Sequence, residues 1–279
     1  MGDRVALVTG GSSGIGLATC EALGRAGYKV VMVCRDRIKA EVAQAIVERV
    51  ANHPVDVRFC DLGDLEQVRA LGRDVCADYD RLDVLVNNAG VWSDARVESA
   101  DGLELTLAVN HLAPFVLTNA LRELLEASAP ARVVTVSSLM HRFGWMHFKD
   151  LNLKRRYNGV FAYAQSKLAN ILFTRELSRR LERTGVTANC LHPGLVDTNL
   201  GKDTSPLLTL AGMPVRWFLL SPAKGARTTV HLATAPELER ATGLYFANSR
   251  LGRPSSAALR PEDARRLWDL SAEMTGVRS

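Results

Sequence analysis

The chain has 279 residues, of which 47% are hydrophobic and 23% are charged, and its formal net charge is +5. This composition excludes a disordered protein, and the length suits a single domain over residues 1–279. Basic side chains are interspersed with acidic ones, so we expect no nucleic-acid partner. The five cysteines form no Cys-x-x-Cys pair and the histidines lack zinc-ligand spacing, so we expect reduced thiols and no metal.

Short apolar runs alternate with stretches of helical spacing along most of the chain. Six runs predict strands at residues 5–9, 29–34, 55–59, 82–86, 132–137 and 186–192. The intervening stretches predict helices at residues 14–26, 38–51, 64–77, about 102–127, and 161–183. A late strand near residues 244–246 and a last helix near 261–275 complete the pattern. This alternation predicts an α/β fold with a doubly wound, parallel, seven-stranded sheet and helices on both faces.

Two stretches bear on membranes and on substrate binding. Residues 1–8 lead straight into the first strand, so we expect no signal peptide or amino-terminal anchor. The apolar residues 206–220 are interrupted by Pro214 and Arg216 and are too short to span a bilayer, so we expect a cytoplasmic protein without an integral membrane segment. Residues 198–222 follow the sixth strand, at the edge of the sheet where ligands bind. We expect this segment to form an apolar substrate lid; a core or dimer helix is the alternative.

A glycine-rich loop, Thr-Gly-Gly-Ser-Ser-Gly-Ile-Gly, connects the first predicted strand to the first predicted helix. Gly10 allows a tight turn, Gly14 allows the backbone to approach a pyrophosphate, and Gly16 allows the helix to pack closely on the strand. A helix amino terminus also attracts phosphates, so the loop predicts a dinucleotide site. An ordinary helix-start turn is the alternative. The residues expected to contact the dinucleotide here are Gly10, Ser12, Ser13, Gly14, Ile15 and Gly16.

The residues at the end of the second strand bear on the choice of dinucleotide. A carboxylate there would bond both ribose hydroxyls and select NAD, whereas an arginine grips a 2′-phosphate with a bidentate fork. The chain has Cys34-Arg35-Asp36-Arg37 at this point. We therefore expect NADP(H), with Arg35 as the main contact and Arg37 as a helper. Asp36 is expected to turn outward or to start the next helix.

Tyr163 and Lys167 lie four residues apart on a predicted helix, so both side chains project from one face. A nearby ammonium favours a phenolate, so we expect it to lower the pKa of the tyrosine toward the operating pH. By itself, such a pair is also typical of an ordinary amphipathic helix. Ser138, at the end of the fifth strand, and Asn110 are further polar candidates that strengthen the catalytic interpretation.

Together these elements resemble the short-chain dehydrogenase/reductase family, and the resemblance extends over nearly the whole chain. It rests on residues 9–16, the motif at 87–90, Asn110, the Ser-Ser pair at 137–138 and the Tyr-Ala-Gln-Ser-Lys motif at 163–167. The resemblance implies a Rossmann fold and hydride transfer with NADP(H). Residues 148–151, 163–177, 243–246 and 267–271 are similar to the retinol dehydrogenase branch, which also resembles the protochlorophyllide reductases.

The resemblance implies a catalytic tetrad of Asn110, Ser138, Tyr163 and Lys167. In the reductive direction Tyr163 would protonate the carbonyl oxygen and Ser138 would hydrogen-bond it. Lys167 would hold the nicotinamide ribose and lower the pKa of the tyrosine, while Asn110 would position Lys167 through water. Ser137 is the alternative serine.

The resemblance also implies cofactor contacts beyond the glycine loop. Asp61, followed by Leu62, would lie at the adenine ring; a helix-cap acid is the alternative for Asp61. The residues that would stabilise the sheet and line the adenine ribose are Asn87, Ala89 and Gly90. The residues that would contact the nicotinamide, its carboxamide or the diphosphate are Pro193, Gly194, Val196 and Thr198.

The expected reaction is the NADP(H)-dependent interconversion of a carbonyl and an alcohol on a lipophilic small molecule that is retinoid-, steroid- or polyketide-like. Two departures favour a substrate other than a retinoid. We expect no amino-terminal anchor of the kind common in the animal retinol enzymes, and Ala113-Pro114 replaces a Gly-His pair that often follows the Asn-His-Leu segment there. The alternatives are a catalytically silent NADP-binding regulator and a family member that binds a lipid surface through residues 206–220. A homodimer or homotetramer remains open.

Overall fold

The computed structural model describes residues 3–194 and 221–278. Within these residues one sheet has the strand order β3-β2-β1-β4-β5-β6-β7-β8. The strands are β1 (Val5–Thr9), β2 (Lys29–Cys34), β3 (Asp56–Phe59), β4 (Val84–Asn87), β5 (Ala131–Val136), β6 (Val186–His192), β7 (Tyr245–Ala247) and β8 (Arg250–Leu251). Strands β1 to β7 pair in parallel. The strand order reverses between β1 and β4, so this is the doubly wound sheet predicted from the sequence.

The predicted number of seven strands is wrong, because an eighth strand pairs antiparallel with β7. Ala247 lies opposite Arg250, and the two residues between them, Asn248 and Ser249, have φ values of 49° and 57°. Two consecutive positive φ values are typical of a two-residue hairpin turn. The eighth strand has only two residues, too few to show an alternating pattern.

Helices cover both faces of the sheet. They are α1 (Gly14–Arg25), α2 (Arg37–Glu48), α3 (Leu65–Asp78), α4 (Leu105–Leu107), α5 (Ala113–Ala120), α6 (Arg122–Ala127), α7 (Gly159–Arg180), α8 (Pro222–Thr234) and α9 (Pro261–Thr275). Along β1, Leu7 belongs to the apolar cluster on one face, whereas Ala6 and Val8 belong to the cluster on the other. This alternation buries the strand on both sides. In the described part of the chain, no helix has the length and apolar character needed to cross a membrane.

The long helix predicted at residues 102–127 is wrong in detail, because this stretch divides into α4, a π-helical turn at Ala108–Leu112, α5 and α6. Pro114 is the second residue of α5 and has no N–H to donate to the carbonyl of Asn110, four residues earlier. The N–H of Ala113 bonds the carbonyl of Ala108, five residues back. The turn therefore places Asn110 at a local widening of the helix, a feature that often occurs at functional sites.

The sequence analysis also missed α8, which begins at Pro222. The hydroxyl of Ser221 accepts a hydrogen bond from the N–H of Lys224, so Ser221 caps this helix. Of the predicted lid at residues 198–222, only Ser221 and Pro222 are described, and they form the start of α8. The rest of the predicted lid lies outside the described residues.

Candidate active site

The glycine loop folds back against the second strand at the amino terminus of α1. Gly10 and Gly14 have φ values of 69° and 53°, and the N–H of Gly10 donates to the carbonyl of Val33 at 2.9 Å. A Cβ atom on Gly16 would collide with the carbonyl oxygen of Gly10. These glycines are therefore needed for the backbone conformation and for the close packing of α1.

The amino terminus of α1 lacks the side-chain cap that several other helices of the structure have. Ser13 is its N-cap residue but makes no side-chain cap, whereas Asp36, Asp64 and Asn158 cap α2, α3 and α7 with side-chain oxygens. The cap residue therefore supplies no side-chain acceptor for the first N–H groups of α1. The adjoining loop also lacks bulky side chains. The arrangement fits a pyrophosphate, which would accept hydrogen bonds from these groups.

The Asn-Asn-Ala-Gly motif after β4 is tied to the end of β1. The hydroxyl oxygen of Thr9 accepts hydrogen bonds from the N–H groups of Asn88 at 3.0 Å and Ala89 at 3.1 Å, and the side-chain amide of Asn88 donates to the carbonyl of Thr9 at 2.8 Å. The amide of Asn87 donates to Thr118 at 3.0 Å. The motif therefore joins the central strands at the edge where the glycine loop lies.

Asn110 and Lys167 both lie beside Gly90. A Cβ atom on Gly90 would be 3.3 Å from Nζ of Lys167 and 3.4 Å from Oδ1 of Asn110. The buried Asn110 side chain accepts from the N–H of Val91 at 2.7 Å and donates to Oγ of Ser166 at 3.0 Å. The π-helical turn therefore orients Asn110 against the loop after β4 and against α7.

Tyr163, Lys167 and Ser138 come together at the end of β5. The side chain of Ser138 lies at the Tyr163 hydroxyl, where it favours the phenolate. Nζ of Lys167 lies 5.6 Å from the centroid of the tyrosine ring and donates to the carbonyl of Val136 at 3.1 Å. The structure thus brings all four predicted catalytic residues into one buried region.

Burial decides the protonation of this region, contrary to our expectation of an ammonium-lowered tyrosine pKa. Burial raises the pKa of Tyr163 to about 12, and the nearby side chain of Ser138 offsets only part of this effect. Burial also lowers the pKa of Lys167 to about 8, because no carboxylate compensates its charge. Tyr163 is therefore protonated at neutral pH, as a proton donor must be.

The two serines after β5 have different environments. The buried hydroxyl of Ser137 donates to the backbone carbonyl of Lys167 at 2.7 Å. The hydroxyl of Ser138 faces Tyr163, and it accepts from the N–H of Met140 at 3.2 Å at the start of a 3-10 turn. The hydroxyl of Ser137 is occupied by its hydrogen bond to α7, so Ser138 is the serine available to a ligand.

Sequence reasoning missed two residues that support these groups. The ring of Trp92 packs on Tyr163 with centroids 4.9 Å apart. Nδ1 of the fully buried His141 lies 2.6 Å from the carbonyl oxygen of Ser138. In the sequence, Trp92 lies two residues after the Asn-Asn-Ala-Gly motif and His141 lies three residues after Ser138. This proximity to predicted site residues was the signal that could have identified them.

The end of β2 carries the residues expected to select the dinucleotide. Cys34 is buried and its thiol is hydrogen-bonded with the side chain of Ser12, while burial raises its pKa. Asp36 accepts from the N–H of Lys39 at 3.1 Å and starts α2, one of the two positions expected for it. Arg35 is exposed, and the guanidinium of Arg37 lies 4.3 Å from the ring centroid of Phe59. Arg35, Asp36 and Arg37 are thus all exposed at the end of β2.

The remaining predicted cofactor contacts are only partly described. Asp61 accepts from the N–H of Gly63 at 2.8 Å, and Asp64 rather than Asp61 caps α3. The side chain of Leu62 is buried in the core. Pro193 and Gly194 follow β6, with φ of 90° at Gly194. Val196 and Thr198 lie outside the described residues.

Comparison with known proteins identifies the family. The short chain dehydrogenase family model matches residues 4–207. Human retinol dehydrogenase 14 is 42% identical over 298 aligned positions, which cover 99% of this chain and 88% of that protein. Human retinol dehydrogenase 13 is 41% identical over 281 positions, covering 98% and 85%. The chain belongs to the short-chain dehydrogenase family and is similar to its retinol dehydrogenases, as the sequence motifs indicated.

Solved structures show the same fold. An uncharacterized protein from Mycobacterium paratuberculosis is 36% identical, with a TM-score of 0.77 and coverage of 98% of this chain and 93% of that one. A short chain dehydrogenase from Shigella flexneri, complexed with NADP, is 24% identical with a TM-score of 0.71, covering 90% and 98%. At that identity the likeness concerns the fold alone. By its family, the chain is an oxidoreductase that acts on CH–OH groups.

Proposed function

We propose that the protein interconverts a carbonyl and an alcohol on a lipophilic small molecule with NADP(H). One observation carries this proposal: the buried Tyr163 lies beside Lys167 and at the side chain of Ser138, and burial keeps it protonated. The substrate class is retinoid-, steroid- or polyketide-like. The names of the human relatives and the largely apolar sequence of residues 198–222, which we propose as a lid, support this class.

The roles of the catalytic residues follow from their positions. In the reductive direction Tyr163 donates a proton to the carbonyl oxygen, and Ser138 donates a hydrogen bond to the same oxygen. Lys167 holds the ribose of the cofactor and favours the phenolate that forms when Tyr163 loses its proton. Asn110, which lies beside the same glycine as Lys167, positions the lysine. The nicotinamide, when bound, supplies the hydride or accepts it.

NADP(H) is favoured over NAD(H) by two features at the end of β2. Arg35 is exposed where a 2′-phosphate would lie, whereas the uncapped N–H groups of α1 would bind the pyrophosphate of either dinucleotide. The carboxylate of Asp36 is committed to the start of α2, so it does not compete for the ribose hydroxyls. The Shigella flexneri short chain dehydrogenase has the same fold and was solved with bound NADP, which is in line with the proposed preference for NADP(H).

The test is NADPH oxidation by the purified full-length protein with a panel of hydrophobic aldehydes and ketones, including retinaldehyde, a steroid ketone and a polyketide-like ketone. We expect turnover with at least one of them, and none with the Tyr163→Phe variant. Tight NADPH binding without turnover on any substrate would favour the silent regulator instead.

A further inference from the structure

A cavity of about 630 Å³ lies where the 3-10 turn after Ser138 and the following loop meet the amino-terminal end of α7. Among the described residues, its walls include Phe143, Trp145 and Phe161 but none of the four catalytic residues. This volume is in the usual range for a small-molecule site. The cavity is thus separate from the tetrad, although Ala164, in its wall, directly follows Tyr163.

The walls of the cavity are apolar and aromatic, and they remain open to solvent. The rings of Trp145 and Phe161 lie with centroids 4.0 Å apart. Trp145 is 58% exposed and Phe143 is 69% exposed, while Val160 is 49% exposed. Apolar side chains gathered at one opening favour an apolar ligand, because covering them removes their surface from water.

The mouth of the cavity is basic. Residues 142–156 contain five arginines and lysines but one acidic residue, Asp150. The carboxylate of Asp150 accepts hydrogen bonds from the N–H groups of Lys154 at 3.0 Å and Arg155 at 3.1 Å, so it stabilises the loop. Arg155, Arg156 and Asp150 all line the cavity, so its walls carry two guanidinium groups and one carboxylate. Guanidinium groups at an apolar cavity favour a ligand with a carboxylate or phosphate.

The cavity is preformed, because its walls are fixed to α7. The buried Gln165 accepts from the N–H of His147 at 2.9 Å and donates to the carbonyl of Leu151 at 3.0 Å. On the other side, the hydroxyl of Tyr157 donates to the carbonyl of Ser93 at 2.8 Å. A Cβ atom on Gly144 would lie 2.5 Å from the carbonyl oxygen of Ala164. A ligand would therefore enter a site that needs little reorganisation.

From these observations we infer that the cavity binds an amphiphilic anion, with its apolar chain against Trp145 and Phe161 and its carboxylate or phosphate at Arg155 and Arg156. This inference goes beyond the proposed redox reaction and does not depend on it. The same chemistry occurs in a free fatty acid and in an anionic lipid of a bilayer, and the experiment distinguishes these two sources.

The experiment measures binding of decanoate, decanol and decyltrimethylammonium to the full-length protein by isothermal titration calorimetry. We expect decanoate to bind at least about tenfold more tightly than decanol, because only the acid makes charge-assisted hydrogen bonds with guanidinium groups. In the double variant Arg155→Gln/Arg156→Gln this preference should disappear while decanol binding is unchanged. Trp145→Ala should weaken the binding of both ligands.

The matched control is Arg240→Gln/Arg265→Gln, which removes the same charge at two exposed positions away from the cavity. It should leave the preference for decanoate intact, and all variants should bind NADPH like the wild type if they are folded. Equal binding of acid and alcohol by the wild type, or equal losses in the two double variants, would overturn the inference.

A second arm measures sedimentation with phosphatidylcholine vesicles that contain or lack phosphatidylglycerol. Binding that requires phosphatidylglycerol and both cavity arginines, without decanoate binding, identifies a bilayer lipid as the ligand. Decanoate binding without vesicle binding identifies a free amphiphile, and both together identify a site that takes either. Failure of both arms would overturn the inference, whatever the outcome of the NADPH oxidation assay.

Discussion

The imidazole of His141 connects the loop that carries Ser138 to the carboxyl-terminal part of the chain. Its Nδ1 lies 2.6 Å from the carbonyl oxygen of Ser138, and its Nε2 accepts the N–H of Ser255 at 3.1 Å. A carbonyl oxygen only accepts and a backbone N–H only donates, so the ring is neutral with its proton on Nδ1. Burial lowers the pKa of His141, which favours the same neutral form. We infer that His141 holds Ser138 in place.

Replacing His141 by Phe keeps an aromatic ring against Tyr245 but removes both hydrogen bonds. The carbonyl of Ser138 then keeps only the hydrogen bond from the backbone N–H of residue 141. A lost hydrogen bond costs about 0.5 to 1.5 kcal/mol, so we expect kcat/KM for the carbonyl substrate to fall roughly twofold to tenfold. The dissociation constant of NADPH should not change. His53→Phe is the control at a surface position. A loss of NADPH affinity in parallel with kcat/KM would indicate a general disturbance instead.

Tyr163→Phe removes the proton donor but keeps the ring that packs on Trp92. We expect less than about a hundredth of wild-type turnover, with NADPH affinity nearly unchanged, because little except the proton transfer is lost. Steady-state kinetics and a fluorescence titration with NADPH measure the two quantities. Turnover above that level would contradict the role assigned to Tyr163.

The pH dependence of the reductive reaction should follow Lys167. Burial lowers its pKa to about 8, whereas it raises the pKa of Tyr163 to about 12, so the lysine loses its proton first as the pH rises. We expect kcat/KM for NADPH, which reports on the free enzyme, to decrease as the pH rises through about 8. A profile that stays flat well above that pH would show that the charge on Lys167 is not required.

Arg35→Ala tests the choice of cofactor. A charge-assisted fork to a phosphate contributes about 1.5 to 3 kcal/mol, so NADPH should bind roughly tenfold to a hundredfold more weakly, while NADH binding should not change. Arg49→Ala, at the other end of α2, is the matched control. Equal losses for the two cofactors, or a wild type that prefers NADH, would refute the assignment.

Acid should destabilise the fold through His111. Its buried ring bonds Ser271 through Nε2 at 2.9 Å, and burial lowers its pKa from 6.5 to about 4. The unfolded state therefore takes up a proton between about pH 6.5 and pH 4 that the folded state does not. The stability present above pH 6.5 is lost as the pH falls, by about 2 kcal/mol at pH 5.

Urea unfolding at pH 8 and at pH 5 measures this loss. In His111→Gln, which does not titrate, the difference in unfolding free energy between the two pH values should be smaller by about 2 kcal/mol. His231→Gln, in α8, is the control for a histidine whose ring is not enclosed in the core. An unchanged pH dependence in the His111 variant would contradict the prediction.

The sequence alone determined the central strands and the residues placed by local spacing. The bounds predicted for β1, β2 and β6 agree with the structure, because buried parallel strands are continuous apolar runs that end at loop residues. Gly10 to Gly16 and the pair Tyr163 and Lys167 also follow from local rules, since one loop and one helix face contain them.

Only the tertiary structure decided the features that depend on distant partners. The strand β8 exists because it pairs with β7. That pairing depends on hydrogen bonds that apolar periodicity does not encode.

Contacts between distant parts of the chain also decide which of the two serines is available and whether the tyrosine is protonated. The hydroxyl of Ser137 donates a hydrogen bond to the carbonyl of Lys167, 30 residues away, whereas the side chain of Ser138 lies at Tyr163. The sequence shows an ammonium four residues from the tyrosine, but the fold determines how much water reaches either group. Desolvation sums over every element packed around a side chain, so it raises the pKa of Tyr163 although the local spacing predicts a decrease.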